Sequence, residues 1–384
     1  MIIDVATNEV GTQCHQCGKE TYASDGHEKP IIIRHLPIFR YESYIRIRSA
    51  RCKCNCGAIT IQKVAWHTQR STCTALYEDH ILLQLINSTI SDVSIKENIG
   101  YDVVRGILER KIDTHIDWSQ IAKIEVLGID EISLKKGHND FVTIVSGYSS
   151  GKLLILGVLK DKEKKTVKAF LKSIPVRLRK QIKTVCTDLY EGFINAAKEV
   201  FSKKIKITAD RFHVAKLYRK GVDKLRTKEM RRLKEELSED AYKELKGAMW
   251  IVRKREENLE PDDIKVLNIL FSYSPDLESA YRASNELTAI FDSDISKFQA
   301  KHRFNAWMNG MKKNNLKCFD SFIKTLSKFK DEISNYFIDR HTSGFVEGFN
   351  NKIKAIKRRC YGILNIKHLF QRIYLDMSGY GLFS

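Results

Sequence analysis

The chain has 384 residues, 43% of them hydrophobic, which is enough for two to four compact units with real cores and argues against a disordered or fibrous protein. Lys and Arg number 66 against 47 Asp and Glu, a net charge of +19; a field of that sign attracts polyanions, nucleic acid ahead of an anionic membrane. No run of about 18 apolar residues offers a membrane span and the start MIIDVATNEV lacks a secretion pattern, so a soluble, cytosolic protein with no membrane partner is expected.

In chain order, residues 1–70 mix short alternating runs such as RYESYIRIRS, a β-like period, with five of the nine cysteines. Clustered thiols in a long chain without a secretion signal point to metal before disulfides. Cys14 and Cys17 form a CxxC knuckle (CHQCG), and Cys52, Cys54 and Cys56 follow in RCKCNCG, so one structural zinc can close between the two runs. Cys56 precedes Gly57 as Cys17 precedes Gly18, which brings Cys56 into the set. The fourth ligand is Cys54, with Cys52 open in its place. Cys73, Cys186, Cys318 and Cys360 read as buried small hydrophobes.

Residues 71–120 read as short helices. VSIKENIG supplies the first helix and turn of a helix-turn-helix and YDVVRGILERKI its recognition helix, with Arg105 and Arg110 free to face DNA.

From residue 121 the pattern turns to strands: IEVLGI, then FVTIVSGYSSGKLLILGVL with a glycine-bounded turn, then helix, IKTVCTD, helix and KIKITAD. Three strands followed by alternating helix and strand describe a mixed sheet in the ribonuclease H-like order. Residues 215–339 are charged and helical, an all-α insertion; in KEMRRLKEELSEDAYKELKGAMWIV the apolar residues from Met230 to Met249 share one face. The chain then returns to the core, so that 121–214 and 340–384 form one catalytic domain.

Asp130 ends the strand IEVLGID, Asp188 ends IKTVCTD, and Glu347 opens the basic helix SGFVEGFNNKIKAIKRR. Strand ends of an α/β sheet present side chains into one crevice, and three carboxylates there can hold two Mg²⁺ or Mn²⁺ ions for phosphoryl transfer. Glu131 and Asp140 compete with Asp130, but Glu131 falls on the opposite sheet face and Asp140 lies in a turn. In ADRFHVAKL, Asp210 and His213 come just after a strand at the same sheet end and read as accessory residues. Lys352, Lys354, Lys357, Arg358 and Arg359 line the helix after Glu347 and suit phosphates flanking the reactive one, with Asn350 and Asn351 assisting.

The runs GIDEISLKKGH, VCTDLYEGFINAAKEVF, ADRFHVAKL and NYFIDRHTSGFVEGFNNKIKAIKRRCYG resemble the ISL-three family of bacterial insertion-sequence transposases, over essentially the whole chain. The resemblance implies a multidomain α/β protein: a small β-rich zinc module, a helix-turn-helix and a ribonuclease H-like DDE core with a helical insertion. It implies that Asp130, Asp188 and Glu347 are the catalytic triad. The implied reaction is metal-dependent cleavage at transposon ends and strand transfer into target DNA, by a homodimer or larger assembly. RCKCNCG departs from the family's usual second CxxC and touches only the zinc ligand set. Two other readings compete: a non-catalytic DNA-binding regulator derived from a transposase, which has no use for three carboxylates facing phosphates, and a nuclease of the same fold that needs no sequence-specific end binding.

Overall fold

The computed structural model describes all residues except 7–10, 69–70, 135–140, 150, 203 and 339, and the side chains of 341–343 and 345–347. Asp140 and Asp339 therefore lie outside the described residues, and so does the Glu347 side chain.

Among the described residues eight short strands come first: β1 (Ile2–Val5), β2 (Thr12–Gln13), β3 (Glu20–Thr21), β4 (Ala23–His27), β5 (Ile31–Ile38), β6 (Tyr41–Ile47), β7 (Ala50–Lys53) and β8 (Ile59–Ile61). They form three small sheets, β1-β6-β5, β2-β3 and β4-β7-β8. Ile45 and Ile47 alternate with exposed Arg46, the half-buried pattern that the sequence carries. Three helices follow, α1 (Ala75–Leu85), α2 (Ile90–Lys96) and α3 (Tyr101–Lys111). Thr74 caps α1 by accepting from the Tyr77 N–H, and Thr89 and Asp92 close a reciprocal capping box on α2. Between α2 and α3, Asn98 takes a positive φ of 50°, so the chain reverses within a few residues.

The second sheet is built from β9 (Val126–Ser133), β10 (Phe141–Ser149) and β11 (Lys152–Leu159), then α4 (Lys164–Ser173), α5 (Val176–Arg179), β12 (Thr184–Thr187), α6 (Glu191–Val200) and β13 (Lys206–Ala209). Its order is β11-β10-β9-β12-β13. β9, β10 and β11 are antiparallel, while β12 runs parallel to both β9 and β13. Leu127, Ile129, Val185 and Ile207 share a core with Val167 and Leu171 of α4, Leu178 of α5 and Phe193 and Ala197 of α6.

Helices then dominate: α7 (Arg211–Glu236), α8 (Glu239–Lys243), α9 (Ala248–Ile251), α10 (Pro261–Tyr273), α11 (Pro275–Asp292), α12 (Lys297–Lys313), α13 (Asp320–Lys328), α14 (Lys330–Ser334), α15 (His341–Arg359) and α16 (Ile366–Phe383). α7 starts directly from the core and runs without a break past residue 215, where the insertion was expected to begin. The apolar face expected over 230–249 is split among α7, α8 and α9, since Leu237 leaves the helix at extended φ/ψ and Gly247 adopts a φ of 89°. Leu233 and Leu245 are buried, while Met249 is exposed.

By contacts the chain divides into residues 1–115 with 355–384, and residues 116–354. Residues 355–384, expected with the catalytic core, thus cluster with the N-terminal part. The physical reason is α16: its Leu375 joins Tyr77, Ile81 and Leu85 of α1 and Val104, Ile107 and Leu108 of α3 in one core. Gln371 donates to the Ile112 carbonyl at 2.8 Å, and Arg372 to those of Leu85 and Ser88 at 3.0 and 2.8 Å.

Candidate active site

β9 alternates so that Leu127 and Ile129 enter the α4–α6 core, which turns Asp130 to the other face. The parallel register aligns Ile129 with Thr187 and Thr187 with Ala209, so Asp188 and Asp210 follow the ends of β12 and β13 and come level with Asp130, which does not end its strand as expected but lies within β9, held there by pairing with β10 as far as Ser133. This is where an α/β sheet gathers its chemistry. His213 sits on the first turn of α7, whose N-cap is Asp210, accepting from the Phe212 N–H at 2.9 Å.

Ligand atoms of Asp130, Asp188 and His213 lie within 4.8 Å of one another. His213 Nε2 is 4.0 Å from Asp130 Oδ1 and 3.9 Å from Asp210 Oδ2. Asp130 is only 5% exposed; its Oδ2 accepts from Asn350 Nδ2 on α15, while its Oδ1 is buried without a hydrogen-bond partner among the described residues. Burial, opposed by His213 and reinforced by Asp188 and Asp210, pushes the Asp130 carboxyl up to about 6. Burial also raises Asp188, against the Tyr190 N–H that donates to its Oδ1 at 3.1 Å. Carboxylates buried side by side with an orphaned oxygen are costly unless a cation joins them. The donor set, two carboxylates with an imidazole in reach, could hold a metal ion.

Glu131, the competitor of Asp130, is engaged by Lys162 at 2.8 Å. Lys162 also lies over the Tyr190 ring, 5.5 Å from its centroid, and acts on Asp188. Sequence reading did not single out Lys162; a lysine in the charged run KDKEKK carries no local signal for it. Glu347 lies on α15 three residues before Asn350, its side chain outside the described residues.

The thiols form a second candidate centre. Cys14, Cys17, Cys54 and Cys56 gather within 4.8 Å. Cys14 Sγ is 3.6 Å from Cys56 Sγ and Cys17 Sγ 3.6 Å from Cys54 Sγ, close to the edge of about 3.8 Å that four Zn–S bonds of ~2.3 Å give a tetrahedron. Each half is a knuckle: the Gly18 N–H donates to the Cys14 carbonyl and the Gly57 N–H to the Cys54 carbonyl. Gly18 and Gly57 have φ of 73° and 88°, values that a Cβ resists. N–H groups of Cys17 and Gln16 lower the Cys14 thiol to about 6, the state a metal needs. Cys52 lies instead on β7, paired with Ser24 of β4.

Of the expected DNA contacts, Arg105 is exposed on α3 beside Asp102 and Glu109. Arg110 is not free: its guanidinium holds the buried Glu78 carboxylate at 2.6 Å, because an acid at 1% side-chain exposure requires a partner. On α15, Lys352, Lys354 and Arg358 are exposed and Lys357 half-buried. Arg359 is instead drawn to buried Asp376 at 2.9 Å. Among the described residues, no helix is long and apolar enough to cross a membrane.

Comparison with known proteins gives one kind of relative. Residues 127–373 match a protein family described as transposase, of the ISL-three type. The transposase for insertion sequence element IS1001 of Bordetella parapertussis is 27% identical over 374 residues, 95% of this chain and 89% of that protein. The transposase for insertion sequence element IS1557 of Mycobacterium tuberculosis is 21% identical over 388 aligned residues, 96% of this chain and 86% of that protein.

Proposed function

Since the chain belongs to the ISL-three family of transposases, we propose that it binds the terminal inverted repeats of an insertion sequence and catalyses metal-dependent strand cleavage and strand transfer, as a homodimer or larger assembly that pairs two ends. The observation that carries this reading is the meeting of Asp130, Asp188 and His213 within 4.8 Å at one end of a mixed sheet. The strand order supports a ribonuclease H-like core: three antiparallel strands, then two parallel ones on the far side of β9.

In this reading Asp130, Asp188 and Glu347 hold two Mg²⁺ or Mn²⁺ ions, which when bound lower the pKa of an attacking water or 3′-hydroxyl and neutralise charge on the transferring phosphate. Supporting Glu347 is its spacing: it comes three residues before Asn350, which reaches Asp130 from α15, and residues three apart on a helix are neighbours. Asn350 orients Asp130 by donating to one carboxylate oxygen, leaving the other for a cation. His213 Nε2 stands between the two acids, 4.0 Å from Asp130 Oδ1 and 3.9 Å from Asp210 Oδ2. Lys162, beside Asp188, suits a flanking phosphate. α2 and α3 read bases, while Lys352, Lys354, Lys357 and Arg358 contact phosphates. The four thiols hold a structural zinc that keeps the N-terminal strands folded.

The test is cleavage of an end-containing duplex in Mg²⁺ beside a gel-shift assay. Asp130→Asn, Asp188→Asn and Glu347→Gln should each lose cleavage by several orders of magnitude and still shift the DNA. A variant that cuts like wild type removes its residue from the site.

A further inference from the structure

A cavity of about 560 Å³ opens between α7, the segment after α9, and α11. None of the roles assigned above uses it, and its volume suits a ligand of nucleotide size. Its lip begins at Phe212, half exposed, whose ring meets the His213 ring edge-on with centroids 5.9 Å apart. The next ring after that aromatic thus belongs to the carboxylate cluster. From Phe212 the lip continues along one face of α7 through Lys216, Arg219 and Lys220, at intervals of four, seven and eight residues. All three are exposed cations, and none has an ion pair among the described residues.

Three of the four acids around the opening have cationic partners. Asp223 is held by Arg226 and Arg253 at 2.9 and 2.6 Å, Asp292 by Arg211 and by Arg255 at 3.7 Å, and Glu257 by Arg255 at 3.2 Å. Glu256 accepts from Asn285 at 2.8 Å. Lys216, Arg219 and Lys220, without ion pairs among the described residues, outnumber the one lining acid that lacks a cationic partner, Glu256, so the local field at the mouth is positive. Inside, Ser284, Asn285 and Thr288 present a polar strip on one face of α11, flanked by apolar Ala215 and Val252. A cationic lip, an aromatic edge, apolar walls and a polar floor match the parts of one nucleotide: phosphate, base face and base edge.

Resting on the transposase reading, we infer that this cavity takes a single nucleobase drawn out of the duplex next to the cleaved phosphate, with Lys216, Arg219 and Lys220 holding the backbone on either side. Extrusion at that point frees the strand to bend into the carboxylate cluster, and the cavity returns part of what unstacking costs.

The test uses the full chain and a short duplex with one central unpaired 5-iododeoxyuridine, beside the same duplex fully paired. The wild type should bind the bulged duplex about tenfold more tightly and, on irradiation, crosslink through Phe212 or Tyr281. Ala289→Trp, at an exposed position of α11 that lines the cavity, should fill it, abolish the preference and the crosslink, and leave paired-duplex affinity within about twofold. Phe212→Ala should weaken the preference with the same sparing of paired DNA. Equal binding of both duplexes by the wild type, or a preference that survives Ala289→Trp, overturns the cavity's role and leaves the proposed function standing. A wild type that binds neither duplex removes both.

Discussion

Asp130 carries a measurable burden in the metal-free protein. Its carboxyl titrates at about 6 in the folded chain and near 3.9 when unfolded, so the folded state binds more protons throughout that window. Stability therefore falls as pH rises from about 4 to about 6, and the penalty, on the order of 2 to 3 kcal/mol, stays in full above it. Asp130→Asn should accordingly raise the melting temperature of the chelated protein by several degrees at pH 7, the gain shrinking towards pH 4 and largely vanishing in Mg²⁺. An unchanged melting curve at pH 7 would mean that water reaches the carboxylate. Arg110 and Arg105, five residues and so about 140° apart around α3, should part company in the same assay. Arg110→Ala leaves buried Glu78, among the described residues, with Lys111 at 3.8 Å and the Ser71 hydroxyl at 2.7 Å, and should cost about 1–3 kcal/mol in a denaturant titration. Arg105→Ala should move stability by no more than about 0.5 kcal/mol.

At the scale of elements, strand ends and knuckles were legible because each rests on a local pattern. An apolar run stopping at an acid marks the end of β12 but not of β9, which continues through Asp130 to Ser133, and a Cys-Gly pair marks each positive-φ turn of the thiol cluster. The choice between Cys52 and Cys54 was not legible, because it depends on which residue the strand β7 claims through its pairing with β4. The commitments of Arg110 and Arg359 were hidden for a related reason: their partners, Glu78 and Asp376, are ordinary acids whose burial arises only from tertiary packing. The break of the 230–249 helix was visible in Gly247 but outweighed by an apolar period that happens to continue across it. One prediction belongs here. Purified protein should carry about one zinc per chain, and Cys54→Ser should lose it together with the β-structure of the first segment, whereas Cys52→Ser should retain it. Retention by Cys54→Ser and loss by Cys52→Ser would reverse the ligand set.

For the whole molecule, a charge of +19 predicts steep salt dependence of DNA binding, to which the exposed residues of α15 should contribute additively. Replacing both Lys354 and Arg358 by Ala should reduce the slope of log affinity against log salt by about 2 for any DNA sequence; an unaltered slope takes them off the interface. The division of the chain has a further consequence. Residues 1–115 share their core with α16, which closes on α1 and α3 only once residues up to 383 exist. The two large cores within residues 116–354 draw, among the described residues, on positions no later than Phe337. On the ribosome the order of completion is therefore the reverse of the order of synthesis: the segment made first is finished last. A nascent chain stopped short of α16 holds the carboxylate cluster inside a folded sheet, while its α1–α3 helices still expose the apolar face that Leu375 would cover, and chaperones or proteases that recognise such faces have their opportunity in that interval.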